Sequence, residues 1–288
     1  MRAGEVRERF LSFFERSGHL RVPSASLVPS VYDPSVLLTT AGMQPFKPYF
    51  RGDEEPPSRR LTSCQRSFRT TDIENVGLTL RHLTFFEMLG NFSVGDYFKA
   101  QAVEWALDLS TSKEYGYGFD FESIWITVFG GDDELGLGPD EEAIGYWRAV
   151  GVPDERIVLL GRDDNFWQSG PTGPCGPCSE LYLDRGPDFG PESDRPGDDT
   201  ERHLEYWNLV FMQYELQADG ALPELPTKNI DTGLGVERMA SLTQGVPSVY
   251  ETDLFGPLVG LGEELSGRKY GDDDATTRAL RIIADHGR

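Results

Sequence analysis

Two short runs of alternating side chains, one ending at Arg69 and one over Leu83–Gly90, constrain this chain's fold more than any other stretch. The turn-rich residues between them predict an antiparallel pair. Successive strand side chains face opposite ways. Cys64 and Phe68 therefore share a face expected to be core, while Gln65, Ser67 and Arg69 share a polar one. On the second run Thr84, Phe86 and Met88 share one face, and Leu83, Phe85, Glu87 and Leu89 the other. An arginine beside an aromatic on an open sheet suits a nucleotide, with guanidinium on phosphate and ring on base. A surface hairpin with ordinary charges is the alternative.

The rest reads as an α+β domain, a mostly antiparallel sheet with helices packed around it. Val6, Phe10, Phe13 and Phe14 predict a helix over 3–17, and Gly18 is its stop. A β-like run follows at Val36–Thr40, behind Pro34. Residues 51–60 read as a surface loop, Asp96–Leu109 as a helix, and Ile124–Phe129 and Ile157–Leu160 as strands. Pro139 with Asp140, Glu141 and Glu142 opens another helix. Glycines and prolines argue against regular structure across most of Asn165–Glu180, before a short strand at Leu181–Leu183. His203–Leu216 is a long strand, with Tyr206, Asn208 and Val210 on one face and Trp207, Leu209 and Phe211 on the other. Asn229–Leu242 reads as a glycine-rich entry to a helix, and two more helices are expected near Asp253–Leu265 and Ala275–His286.

With 27 basic and 48 acidic side chains the net charge is −21. That argues against broad adhesion to DNA or to an anionic membrane. Arg59, Arg60, Arg66, Arg69 and Arg81 nevertheless gather around the opening stretch, whereas acid concentrates in runs such as Asp132–Glu134, Asp198–Asp199 and Asp272–Asp274. No window approaches the roughly 18 apolar residues of a membrane span. The N-terminus lacks a secretory signal's apolar core, and three cysteines argue against a disulfide framework. A cytoplasmic protein is expected. There is no GxxxxGK[ST] loop, no GxGxxG after a strand and no Ser-His-Asp signature.

Several further residues carry potential chemistry. Glycine amides at Gly233 and Gly235 suit an anion at a helix start, although a plain turn explains them equally. Arg238, a cation in a helix's first turn, opposes the dipole, and a phosphate partner would make sense of it. Asp231 is a helix cap or the holder of a substrate ammonium. Asn208 is a buried amide or a substrate-facing one. Cys175-Gly176-Pro177-Cys178 has no second ligand pair at metal spacing, so a stiff pocket-lining loop anchored by Trp167 is preferred over zinc or redox chemistry.

Taken together, five ordered stretches resemble the alanyl branch of the class II aminoacyl-tRNA synthetases. They are DPSVLLTTAGMQPFKPYF at 33–50, RHLTFFEMLGNFSVGDYFK at 81–99, DNFWQSGPTGPCGPCSE at 164–180, EYWNLVFMQY at 205–214 and DTGLGVERMA at 231–240. ADHGR at 284–288 is similar to a further family element. The resemblance implies a class II synthetase-like antiparallel sheet flanked by helices, holding bent ATP. Segments 22–46, 61–98 and 231–241 would be the three class motifs. Arg69 would hold the α-phosphate, and Phe86 and Arg238 would cover the two faces of adenine. His82 would reach the outer phosphates, and Gly235 would admit ATP to the backbone, with Trp167 nearby. Asp231 would pair with the ammonium of L-alanine. Asn208, Val210, Trp167 and Gly233 would enclose the substrate, and Met88 would narrow the pocket to a methyl. Arg69, Arg238 and Mg²⁺ would carry the catalytic charge, and the acceptor end of tRNA(Ala) would take the alanyl group. The resemblance further implies a catalytic domain over 1–250 and the start of a helical tRNA-recognition region over 251–288. Relatives continue into further domains, so alanine activation is expected with weak tRNA charging. A stand-alone paralogue with another acceptor, or a non-catalytic adenylate-binding module, remains the alternative.

Overall fold

The computed structural model describes residues 1–288 apart from 35, 72, 171 and 199, so Asp199 of the second acidic run lies outside the described residues. Helix α1 (Ala3–Arg16) buries Val6, Phe10, Phe13 and Phe14 as their spacing predicts, and Gly18, at φ +86°, follows its end. The chain continues through β1 (Leu20–Arg21), α2 (Lys47–Arg51), β2 (Arg60–Phe68), β3 (Phe85–Val94), α3 (Lys99–Thr111) and β4 (Ile124–Phe129). Next come α4 (Glu141–Ala149), β5 (Ile157–Leu160), α5 (Arg162–Asn165), β6 (Phe166–Gln168), β7 (Gly173–Asp184) and β8 (His203–Leu216). The last elements are β9 (Glu224–Gly235), α6 (Val236–Gln244), α7 (Gly256–Ser266) and α8 (Asp274–Gly287).

Among the described residues the strands make one sheet, in the order β1-β2-β3-β9-β8-β7-β4-β5, with β6 added to β7. From β2 through β4 every neighbour is antiparallel, and only the edge pairs β1–β2 and β4–β5 are parallel. This is the α+β class the sequence predicts. The opening hairpin forms as expected, from Phe68 opposite Phe85 to Arg60 opposite Ser93. β3 starts two residues later than its alternating run and continues to Val94.

Period-two alternation gives the sheet two different faces. One carries Leu89, Trp207, Leu209, Phe211, Ile230 and Leu234 into the main core, against Phe10 and Phe14 of α1, Ala102 and Ala106 of α3 and Met239 of α6. Cys64 packs against this core as expected, only partly buried. The other face carries Leu61, Phe92, Val210 and Met212, and only part of it is covered, by Met43, Phe46 and Phe50. The uncovered part is the floor of a cleft.

Four expectations are corrected. Val36–Thr40 is not a strand: the Thr39 amide donates to Leu27 O at 2.9 Å and its hydroxyl to Ser26 O at 2.8 Å, so the segment's polar groups close a local loop rather than a ladder. Most of Asn165–Glu180 is regular, in β6 and β7. Its glycines serve close strand approach: a Cβ on Gly176 would lie 2.0 Å from Phe211 O. Its Pro177, which lacks a donor, falls where the β7–β8 register shifts between Cys175 and Cys178. Cys175 and Cys178 therefore stand on a strand, not on a loop, and burial pushes the Cys175 thiol up to about 11 and raises Cys178 as well. Tyr206 does not share a face with Asn208 and Val210. Leu181 pairs with Trp207 but Tyr182 with Glu205, so Tyr206 is a bulged residue. It joins Trp207 in the main core and donates to Ser110 Oγ at 3.0 Å. Finally, Asp231–Gly235 is the end of β9 rather than a loop entering a helix, and Gly235 occupies the N-cap position.

Gly176→Ala is expected to destabilise the chain by about 3 kcal/mol, because a methyl would press on a backbone carbonyl that cannot move without breaking the β7–β8 register. Urea unfolding of the two proteins measures it.

Candidate active site

The cleft on the half-covered face has a volume of about 550 Å³. Its lining includes every residue assigned from the resemblance to the ATP or alanine site, namely Arg69, His82, Phe86, Met88, Trp167, Asn208, Val210, Asp231, Gly233, Gly235 and Arg238, whereas Cys175–Cys178, expected to line a pocket, do not line it. Strand register brings them together. Asn208 pairs with Gly233 and Val210 with Asp231 across β8 and β9, and Met88 pairs with Gly235 across β3 and β9. These positions alternate with the core residues, so they point the other way, into the cleft.

At one end stands a cationic and aromatic group. Arg69 follows β2 directly; its amide donates to Thr84 O at 2.8 Å and its Nε to Thr40 O at 3.0 Å. Its guanidinium lies 5.1 Å from the centroid of Phe86. The His82 Nδ1 lies 2.8 Å from Thr79 Oγ1, and the His82 carbonyl accepts from Tyr250 Oη at 2.8 Å. Asp285 of α8 accepts from the Thr84 amide at 3.0 Å and from its hydroxyl at 2.5 Å, which fixes the entry to β3. Leu83 packs with Val249, Tyr250 and Phe255.

At the other end stand carboxylates. Asp231 is 6 % exposed, and among the described residues no side chain or amide donates to it. Burial alone pushes its carboxyl up to about 7. A carboxylate held without a partner is costly, and a cation placed beside it removes that cost. The Met88 sulfur narrows the space next to it. Gly42 N–H approaches Sδ at 3.3 Å, and a Cβ on Gly233 would come within 3.0 Å of the same atom. Glycine at 233 is what lets the thioether lie there.

Glu180 and Glu205 also line the cleft and are not among the site residues expected from the sequence. Glu180 accepts from Asn208 Nδ2 at 3.1 Å and from Tyr182 Oη at 2.8 Å, while burial and then the Glu205 carboxylate raise it well above the usual range. Glu205 reaches the cleft because the bulge at Tyr206 resets the alternation of β8. It receives Arg238 Nη1 at 2.5 Å. Burial works to lower the Arg238 pKa, and Glu205, followed by Tyr182 and Glu180, more than reverses it. Glu180 had one sequence signal, as a lone acid just before the apolar run that begins at Leu181; the Glu205 bulge had none. Glu237, also in the lining, accepts from the Glu87 amide at 3.2 Å and from Arg288 Nη1 at 2.6 Å, tying α6 to β3. The cleft thus offers positive charge and an aromatic ring at one end, and an acid beside a confined apolar space at the other. That suits a nucleotide facing a small amino acid.

The apo histidyl-tRNA synthetase of S. aureus superposes with a TM-score of 0.50 over 84% of this chain and 66% of that one, at 12% identity, a likeness of fold. The family model described as tRNA synthetases class II (A) matches residues 5–288, and the chain belongs to that family. It is 51% identical over 298 residues to the alanine–tRNA ligase of Thermobifida fusca, covering 100% of this chain and 32% of that protein. It is 54% identical over 289 residues to the alanine–tRNA ligase of Synechococcus sp., covering 100% of this chain and 31% of that one. The chain therefore spans about a third of the length of the curated relatives it matches.

The raised Asp231 carboxyl makes stability depend on pH. Between about pH 4 and 7 the folded chain keeps a proton that the unfolded chain has lost, so stability falls as pH rises, by up to about 4 kcal/mol. Asp231→Asn is expected to flatten that fall, leaving the variant more stable than the parent at about pH 8 and little changed at about pH 4. Urea titrations across that range measure it.

Proposed function

We propose that this chain activates L-alanine with ATP and passes the alanyl group to the 3′ end of tRNA(Ala). The observation that carries the reading is Asp231, a buried carboxylate without a partner among the described residues, beside a space narrowed by Met88 and in one cleft with Arg69 and Phe86. Family membership and relatives named alanine–tRNA ligase support it.

In this reading Asp231 accepts the alanine ammonium, and Asn208, Val210, Trp167 and Gly233 enclose the amino acid. Met88 leaves room for a methyl. One methylene more or less is worth only about 1–3 kcal/mol, so rejection of glycine and of serine by this pocket is modest. Phe86 and Arg238 cover adenine, Gly235 lets the nucleotide approach the backbone, and His82 faces the outer phosphates. The alanine carboxylate attacks the α-phosphorus in line, pyrophosphate leaves, and alanyl-adenylate remains. Arg69 holds the α-phosphate as charge moves onto its oxygens, so catalysis rests on positioning and electrostatic stabilisation. In the second step a 3′-terminal ribose hydroxyl attacks the alanyl carbonyl and AMP leaves.

The described residues hold no cluster of three ligating side chains. Mg²⁺ usually takes one or two carboxylates plus phosphate oxygens, so it would enter this cleft on the ATP phosphates. When bound, it neutralises phosphate charge. We assign residues 1–250 to the catalytic unit and 251–288 to the start of a tRNA-recognition region, supported by the packing of α7 on α8. We place the work of the chain in the cytoplasm. Among the described residues no helix is long and apolar enough to cross a membrane.

Alanine-dependent ATP–pyrophosphate exchange tests the reading. The chain is expected to exchange with alanine, and Arg69→Ala to lower the rate at least about 100-fold. No exchange with any amino acid, or full exchange by the Arg69 variant, would overturn it.

A further inference from the structure

Arg81 stands in the turn that leads into β3, and its backbone is held on both sides. The Leu80 carbonyl accepts from the Val249 amide at 3.0 Å and the His82 carbonyl from Tyr250 Oη at 2.8 Å. Its side chain belongs to the lining of the cleft and is 23% exposed. Next to it, at the end of the loop between β7 and β8, lies Glu201, which is not part of that lining. Glu201 Oε2 is 3.1 Å from Arg81 Nη1 and 4.0 Å from Arg185 Nη1, yet this buried oxygen is aligned with neither as a hydrogen bond. Burial lowers the Arg185 pKa, and Arg81 lowers it further against the pull of Glu201, as expected of two cations crowded on one carboxylate.

The two arginines are used differently. Arg185 is committed to the fold: Nη1 donates to the Glu201 main-chain oxygen at 3.4 Å and Nη2 to Pro247 O at 2.6 Å, Cζ lies 3.6 Å from the centroid of Phe189, and only 5% of the side chain is exposed. Arg81 is not so committed. A guanidinium carries five N–H donors. Among the described residues the Arg81 side chain makes one hydrogen bond, from Nη1 to Thr200 O at 3.3 Å. Nε and Nη2 thus keep their donors while Glu201 supplies a counter-charge. An arginine held in a cleft wall with those donors open matches an oxyanion that offers several acceptor oxygens. His82, its neighbour in the chain and in the lining, is the residue that the proposed function turns to the outer phosphates. From this we propose that Arg81 is a further binding residue for the two outer phosphates of ATP, and so for pyrophosphate, with Glu201 and Thr200 steadying it from outside the cleft. This deepens the proposed function and rests on reading the cleft as the ATP site. Binding of the phosphates then depends on Arg81, whereas binding of the base and of alanine does not.

Exchange kinetics in the absence of tRNA separate these. The wild-type chain must first show alanine-dependent exchange; its absence would remove the ATP-site reading and the role of Arg81 with it, a failure visible without any variant. Given exchange, Arg81→Ala is expected to raise KM for pyrophosphate and KM for ATP together, by about tenfold, the weight of one charge-assisted hydrogen bond. KM for alanine and the inhibition constant of adenosine, which has no phosphate, should stay within about twofold. The proposal is overturned if KM for pyrophosphate keeps its wild-type value, the result expected of an arginine that serves RNA phosphate instead. It is also overturned if all four constants rise together, as for a loosened turn. Should Arg81→Ala not fold, Arg81→Lys replaces it, since lysine keeps the charge but not the fork. A rise of about threefold in the same two constants is then expected, and no rise contradicts the proposal.

Discussion

A buried carboxylate with no partner among the described residues is the constraint on which the cleft turns. Asp231 lies in the middle of the sheet, between β3 and β8, where burial raises its carboxyl and no basic side chain among the described residues offsets its charge. Its environment is set by strands rather than loops. Val210 faces it across β8, and Gly233, two residues on, faces Asn208. A sheet able to tolerate that cost must be held firmly from behind. The main core does this, packing α1, α3 and α6 against the residues that alternate with the site.

The same alternation explains how distant segments meet. Phe86 and Met88 come from β3, Asn208 and Val210 from β8, Asp231 and Gly233 from β9, and all point from one face because all keep the period of two. Where the period slips, the lining of the cleft changes with it. The bulge at Tyr206 sends an aromatic ring into the core and brings Glu205 to Arg238. The last helix serves the opposite end. Asp285 holds Thr84, and Arg288 pairs with Glu237 and, at 3.3 Å, with Glu87, so residues just outside the cleft set the approach of the strand that carries Phe86.

Much of this was legible in the sequence, for identifiable reasons. The hairpin from β2 to β3, the strand Ile124–Phe129 and the strand His203–Leu216 have clear periodicity and end where predicted or within a few residues. All eleven residues expected to form a site do line one cleft. What was not legible depends on tertiary context. The glycines and prolines of Asn165–Glu180 read locally as loop, yet Gly176 is a strand residue because β8 passes too close for a side chain. Asp231 read as a helix cap because glycines follow it, but β9 continues through them with neighbours on both sides. Glu205 was invisible because a bulge is a property of two strands together, not of either sequence.

Proton release on alanine binding probes Asp231 most directly. If that carboxyl sits near 7 when alone and ionises beside the alanine ammonium, binding at about pH 6.5 releases between about half and one proton per alanine. Calorimetry in two buffers of different ionisation enthalpy, with ATP absent, reads that number. The expected result is release in the wild-type chain and none in Asp231→Asn. Alanine binding without proton release, or equal release by both proteins, would contradict the assignment of Asp231 as the ammonium's partner.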